Sequence, residues 1–480
     1  MKTVRLAALI LGFTVLCSPA GETALQAPSA PAGAPALETE ERPPRADPAG
    51  VPERAAPAVG ILAQESSATP VAEAGAVRPN VLLVTLDSVR ADRVGTAGGR
   101  ARTPSLDRLA TEGTRFANAY AQLPQTTPSH AALFTGQYPS SNGVRIAHHD
   151  ALADGAVTLA GSLARAGYRT AGFYSWAGPP NGFDQGFQTY RLVGELDAAD
   201  GRADATTDAA LAWLDAASGD RAAPFFLWVH YRDPHYPYEP PAPYDALYAP
   251  KCDGCVDGSL RTLNRLHEGW RPSPAELDRI LAAYDGEITF TDAQVGRLLG
   301  RLDALGLAEN TVVVVTADHG EAFGEHGEWF HGLTAYQPTV HVPLIARWPG
   351  VLPAGALVDP AAQVIDIMPT ILDLAGVESP PSVEGRTLRP RSGLSPAGDR
   401  VAITETSDWH YVAVTDGQWK LIRDNASGGD ALYHLATDAG ETRNRLTTDP
   451  GPAARLAAVL DEWLATRAAG TLWHGPGQAR

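Results

Sequence analysis

TVVVVTADHGE, Thr311 to Glu321, is the stretch from which the fold is read. Six consecutive β-branched residues form a short apolar run, the pattern of a strand buried on both faces, and such strands belong to parallel sheets covered by helices. The run then stops at Asp318 and His319. In open α/β sheets, sites lie beyond the carboxyl ends of the strands, so an acid and an imidazole delivered there become candidates for holding a cation. Val81 to Asp87, VLLVTLD, repeats the arrangement and adds Asp87.

A third stretch, QTTPSHAALFTG from Gln125 to Gly136, supplies a hydroxyl. Pro128 suits the first position of a helix, where its missing N–H costs nothing, which places Thr126 and Thr127 at the cap. There an oxygen meets unpaired backbone N–H groups and the positive end of the helix dipole, a setting for an anionic phosphate or sulfate group. A plain structural N-cap accounts for Thr127 alone. The two strands that end in aspartate tilt the reading toward a nucleophile.

The chain has 480 residues, 44% hydrophobic and 19% charged, enough for one large domain and a smaller one. Its formal charge of −17 opposes nucleic acid and anionic membrane surfaces as partners. Lys2 and Arg5 precede the apolar run Leu6–Leu16 and then Ser18-Pro19-Ala20, which reads as a secretory signal over 1–20. The run is too short to span a membrane. Export to the periplasm or beyond is the expectation, with a lipid anchor at Cys17 as the alternative. Residues 21–78 are Ala/Pro-rich and read as a disordered tether. Cys252 and Cys255, the two thiols left in the mature chain, cannot close a zinc site by themselves and read as a small disulfide loop.

Order is expected from Pro79. Strands are read at Val81–Leu86, Arg115–Tyr120, Arg169–Tyr174, Pro224–Tyr231, Thr311–Thr316 and His341–Trp348. Helices are read at Thr103–Gly113, Leu159–Gly167, Ala203–Ala216, Asp278–Leu305 and Val364–Gly376. This alternation predicts an α/β architecture, a large mostly parallel sheet covered by helices, over residues 79–392. The Pro-rich Tyr236–Pro250 is read as an irregular rim. From Gly393 to 480, short strands over Val401–Leu435 and a helix at Gly451–Arg467 predict a small antiparallel subdomain.

These pieces resemble the sulfatase family of the alkaline phosphatase superfamily. The resemblance is carried by RPNVLLVTLDSVRAD, TPSLDRLATEGTRFANAY, TTPSHAALFTGQYPSSNGV, PFFLWVHYRDPHYPY, TVVVVTADHGEAFGEHG and WKLIRD, in family order. It implies a divalent cation (Ca²⁺, Mg²⁺, Mn²⁺ or Zn²⁺) on Asp87, Thr126, Asp318 and His319, one ion in preference to two, with Thr126 as nucleophile. It also implies His235 and His331 as acid–base and substrate-binding groups; His130 and Arg90 are further candidates for the substrate's anionic group. The chain departs from sulfatases in having Thr126-Thr127-Pro128-Ser129-His130 where they carry Cys/Ser-x-Pro-x-Arg. Leu86 replaces an aspartate, and Ser175 and Ala177 stand in place of a lysine and a histidine. A threonine cannot become formylglycine, and Thr-x-Pro-Ser-His is similar to the signature of nucleotide pyrophosphatase/phosphodiesterases. The main expectation is therefore hydrolysis of a phosphoric mono- or diester or a phosphonic ester through a covalent Thr126 intermediate. Sulfuric ester hydrolysis without formylglycine, phosphoryl transfer to another acceptor, and a metal-binding pseudoenzyme are the alternatives. The substrate in each case is a small anionic ester.

Overall fold

The computed structural model describes residues 78–175, 182–194, 202–219, 223–252, 254–389 and 400–469. The signal segment with Cys17, the tether through residue 77, Trp176 and Ala177, and the boundary expected at Gly393 lie outside them. The main sheet is built from β1 (Asn80–Leu86), β2 (Thr114–Tyr120), β3 (Arg169–Tyr174), β4 (Thr189–Leu192), β5 (Phe225–Tyr231) and β6 (Thr311–Ala317). A two-stranded ribbon follows, β7 (Ala322–Phe323) with β8 (Trp329–Phe330), and then β9 (His341–Arg347), β10 (Ala356–Val358) and β11 (Ala362–Gln363) complete the sheet. The order across it is β10-β2-β9-β6-β1-β5-β3-β4, with β11 continuing the pairing to β2.

All seven residues of β1 are buried, because parallel neighbours flank it on both edges and helices cover both faces. β9 runs antiparallel to β2 and β6, so the sheet is mixed though mostly parallel. Leu86 lies opposite both Tyr231 and Ala317. The ladder continues one step past the strands, with Asp87 N–H donating to Tyr231 O at 2.9 Å and Asp318 N–H to Leu86 O at 3.2 Å. Asp87 and Asp318 thus leave the sheet at the same level on neighbouring strands, at its carboxyl edge.

The helix behind the site spans Thr126–Thr135, with every residue buried. Gln125 is its cap, so Thr126 occupies the first helical position and Pro128 the third, where an N–H is still unused. The long helix covering the sheet begins at Pro274, a turn earlier than expected, because Ser273 and Glu276 form a reciprocal capping box. A helix at Leu260–His267 lies inside the stretch that follows the proline-rich rim. Cys252 and Cys255 form a disulfide.

Four antiparallel strands, β12 (Ala402–Glu405), β13 (Tyr411–Thr415), β14 (Trp419–Asp424) and β15 (Gly429–His434), form the small C-terminal sheet. Leu456 and Leu460 of the Pro450–Ala469 helix pack on Val412, Val414 and Leu421, and the cluster reaches Ala132 of the Thr126 helix. No helix among the described residues is long and apolar enough to cross a membrane.

Candidate active site

Asp87, Asp318 and His319 converge beyond β1 and β6, and all three are fully buried. Ser88, at φ +60°, turns the chain sharply after Asp87, and the Tyr284 hydroxyl holds the turn by donating to Ser88 O at 2.6 Å. Asp87 Oδ1 accepts from Ser88 Oγ at 2.8 Å; Asp318 Oδ1 accepts from the Ser88 and His319 N–H groups at 3.1 and 2.8 Å. The other oxygen of each carboxylate, Asp87 Oδ2 and Asp318 Oδ2, has no partner. Burial, and for Asp87 also the charge of Asp318, pushes both carboxyls above the ordinary carboxylate range. Two crowded acids with unpaired buried oxygens are the donor set a divalent cation neutralises, so these residues fit one.

His319 completes the set. Its Nδ1–H donates to Gly320 O at 2.9 Å, which leaves Nε2 bare, 3.7 Å from both Asp87 Oδ1 and Asp318 Oδ2. Thr126 Oγ1 lies 3.2 Å from the same nitrogen. Of these four residues Thr126, 6% exposed, is the one solvent reaches.

Two more histidines face the cluster. The His331 ring centre lies 4.3 Å from that of His319 and 5.2 Å from that of His235. Burial opposes protonation of His331, but the charge and hydrogen bond of Glu321, at 2.9 Å from Nδ1, together with Asp87, lift its pKa above the usual imidazole range. Glu321 is itself buried and accepts from the Tyr238 hydroxyl at 2.9 Å. His235 moves the opposite way, held well below its usual value by burial and by the charge of His331. Its Nδ1–H donates to Tyr236 O at 2.8 Å, so Nε2 is bare.

Other expected residues are placed elsewhere. His130 has both ring nitrogens engaged: Nδ1–H donates to Thr126 O at 2.9 Å and Nε2 meets Thr85 Oγ1 at 3.1 Å. Burial lowers its pKa to about 4, so it is neutral. Arg90 is likewise engaged, by Asp92 at 2.9 and 2.7 Å, Glu325 at 2.7 Å and Glu321 O at 3.1 Å, and serves to anchor the loop that carries Glu321. Asp233 accepts from Ala203 N–H at 2.8 Å, at the start of the Ala203–Ser218 helix, and is in neither of the metal-competent groups found among the described residues. His326 stacks on Tyr336, and His341 Nε2–H donates to Ala117 O.

Glu321, His230 and Arg232 are site residues that sequence reasoning passed over. Glu321 sits three positions after Asp318, within the stretch that decided the fold. Arg232 donates to Tyr236 O at 3.2 Å, and its charge bears on both Asp87 and His235.

Residues 79–377 match the family described as Sulfatase, more than half of the chain. The chain belongs to the sulfatase family. Residues 324–467 also match the C-terminal region of N-sulphoglucosamine sulphohydrolase. An N-acetylglucosamine-6-O-sulfatase of Bacteroides thetaiotaomicron is 27% identical over 70% of this chain and 74% of its own. An arylsulfatase of Clostridium perfringens is 29% identical over 65% of this chain and 78% of its own. Among solved structures, the phosphonate monoester hydrolase of Silicibacter pomeroyi superposes with a TM-score of 0.65 and 26% identity, covering 82% of this chain and 96% of its own. The protein is thus a hydrolase acting on ester bonds, with the alkaline-phosphatase-like fold expected. The comparisons correct the weight given to phosphoric esters: the relatives are mostly sulfatases, which supports the sulfuric ester alternative better.

Proposed function

We propose that this member of the sulfatase family hydrolyses a small anionic sulfuric ester, with Thr126 as the attacking hydroxyl and a divalent cation held by Asp87, Asp318 and His319. The observation that carries the reading is the buried pair of unpartnered carboxylate oxygens beside a bare imidazole nitrogen, 3.2 Å from the Thr126 hydroxyl. When bound, the cation supplies positive charge against the charge that develops on the nucleophile and the ester oxygens. Thr126, pinned at a helix N-terminus, gives up its hydroxyl proton to water and attacks the central atom in line with the departing alcohol; the Thr126 Oγ–S bond forms as the ester S–O bond breaks. His331, kept protonated by Glu321, gives its proton to the leaving oxygen. Neutral His235, with Nε2 bare, takes a proton from the water whose oxygen bonds to sulfur as the Thr126 Oγ–S bond breaks, and that proton is returned to the Thr126 oxygen.

Hydrolysis of phosphoric or phosphonic esters is the second reading, favoured by the nucleophile itself. A formylglycine hydrate can shed its sulfate by C–O cleavage, whereas an ester of Thr126 must be released by attack at the central atom, an exit open to phosphothreonine. Export belongs with either reading, supported by the signal-like first 20 residues and by a disulfide of the kind oxidising compartments maintain.

The test compares kcat/KM on matched aryl sulfate, phosphate and phosphonate esters. A sulfate preference of about tenfold, about 1.4 kcal/mol, supports the first reading and the reverse the second. Thr126→Ala is expected to lower kcat by about 10³-fold or more and to abolish any covalent adduct seen by mass spectrometry. Turnover insensitive to that substitution would refute both.

A further inference from the structure

Beneath the site, one hydroxyl is shared by three rings. Thr85 Oγ1 on β1 lies 3.0 Å from Trp228 Nε1, 3.0 Å from His230 Nδ1 and 3.1 Å from His130 Nε2. A hydroxyl offers one proton and two lone pairs. The indole N–H can only donate, so it takes one lone pair. His130 Nδ1 faces the Thr126 carbonyl, which can only accept, so Nδ1 carries that ring's proton and Nε2 is bare. The Thr85 proton must go to His130 Nε2, and the remaining lone pair of Thr85 is filled by His230 Nδ1–H. His230 Nε2 is then bare as well.

That nitrogen has no partner, and it faces Asp87 Oδ2, also unpartnered, at 3.8 Å. Both residues are fully buried. Two lone pairs set against each other in a dry interior are unfavourable without positive charge between them. A cation bonded to a carboxylate oxygen and an imidazole nitrogen at about 2.0–2.4 Å holds those atoms about 3–4 Å apart. Asp318, whose Oδ2 is unpartnered too, is shared by two clusters of potential ligands, one with His130 and His230 and the other with Asp87 and His319, so a cation bound at Asp318 borders both.

We propose that His230 is a further ligand of the cation held by Asp87, Asp318 and His319, with Trp228, Thr85 and His130 fixing the tautomer that leaves His230 Nε2 free to coordinate. The inference rests on the proposed metal site and extends it. His130 is no ligand in this arrangement, since its Nδ1 is committed to Thr126 O. Two carboxylates and two imidazoles favour Zn²⁺ over Ca²⁺ or Mg²⁺.

The experiment strips the full-length protein with a chelator, titrates Zn²⁺ by calorimetry, and counts imidazole ligands by X-ray absorption of the zinc-loaded protein. Wild type is expected to bind one ion through two imidazoles. His230→Ala and His319→Ala should each leave one imidazole, and His230→Ala should weaken binding about tenfold or more. Thr85→Val keeps the imidazole but removes the hydroxyl that orients it, so it should weaken binding by less than His230→Ala, with both imidazoles still counted. Thermal unfolding of the metal-free variants identifies any that fail to fold, in which case Thr85→Val alone decides. One ion on a single imidazole in wild type, with affinity unchanged in His230→Ala and Thr85→Val, overturns the proposal and leaves the three-residue site standing. Two ions per chain, the second lost in His230→Ala, also overturns it. No Zn²⁺ binding by wild type overturns the proposal; if Ca²⁺, Mg²⁺ and Mn²⁺ titrated in the same way also fail to bind, the metal site itself falls.

Discussion

Glu321 sets His331 apart from the imidazoles around it. With the Glu321 carboxylate 2.9 Å from Nδ1, His331 holds its proton, whereas His235 and His319 are neutral. A general acid is active while protonated, so activity falls as pH rises through the raised pKa of His331. Glu321→Gln removes the charge that raises it. The alkaline limb of the kcat–pH profile is then expected to move to lower pH by about one to two units, with the acid limb little changed; a limb that stays in place would assign the acid elsewhere. At this scale the legible residues were those that end strands or start a helix, namely Asp87, Asp318, His319 and Thr126. His230 was not legible because it stands inside PFFLWVHY, a run that reads as core, and its partners come from β1 and the Thr126 helix. Arg90 is the converse case: it stands out in sequence as a candidate for an anionic group, and its guanidinium is engaged by Asp92 and by Glu325, 235 positions on.

The Thr126–Thr135 helix is held at both ends by features that place the hydroxyl. Ser129 Oγ donates to Asp318 O at 2.6 Å near its start, and Gly136, at φ +64°, closes its end with an N–H to Ala132 O. A Cβ at position 136 would lie 2.9 Å from Val383 Cγ1 in a conformation L-residues avoid. Gly136→Ala is expected to destabilise the protein by about 1–2 kcal/mol, read as a lower urea midpoint. An unchanged midpoint would show that the helix end adjusts freely. Most elements were legible because buried strands and amphipathic helices write their period locally; Arg169–Tyr174 coincides residue for residue. What was not legible is non-local. The reversed direction of β9 depends on its partners, β4 and β10 are short edge strands with exposed side chains, and the Leu260–His267 helix hides behind the prolines that precede it.

For the molecule as a whole, the carboxylate pair at the sheet edge links stability to metal and pH. Asp87 has a raised folded pKa, so in metal-free protein its favourable contribution is complete below the unfolded value of about 3.9 and is lost as pH rises through the folded pKa. In metal-free protein at about pH 7–8, Asp87→Asn is therefore expected to stabilise by about 1 kcal/mol or more, a gain that fades toward about pH 4. With saturating cation the sign should invert, because the substitution removes a ligand from the native state alone. Urea denaturation with and without chelator checks both, and the same sign under both conditions would refute the account. The strand that ends at Asp87 also bears on time. β1 is buried throughout and hydrogen-bonded to parallel partners on both sides, so its amide protons meet solvent only when the entire sheet comes apart. Their isotope exchange should be among the slowest in the chain, and a bound cation should slow it further, by the factor that the ion adds to the folding equilibrium. The floor of the catalytic pocket then keeps the longest record of whether the protein has ever opened.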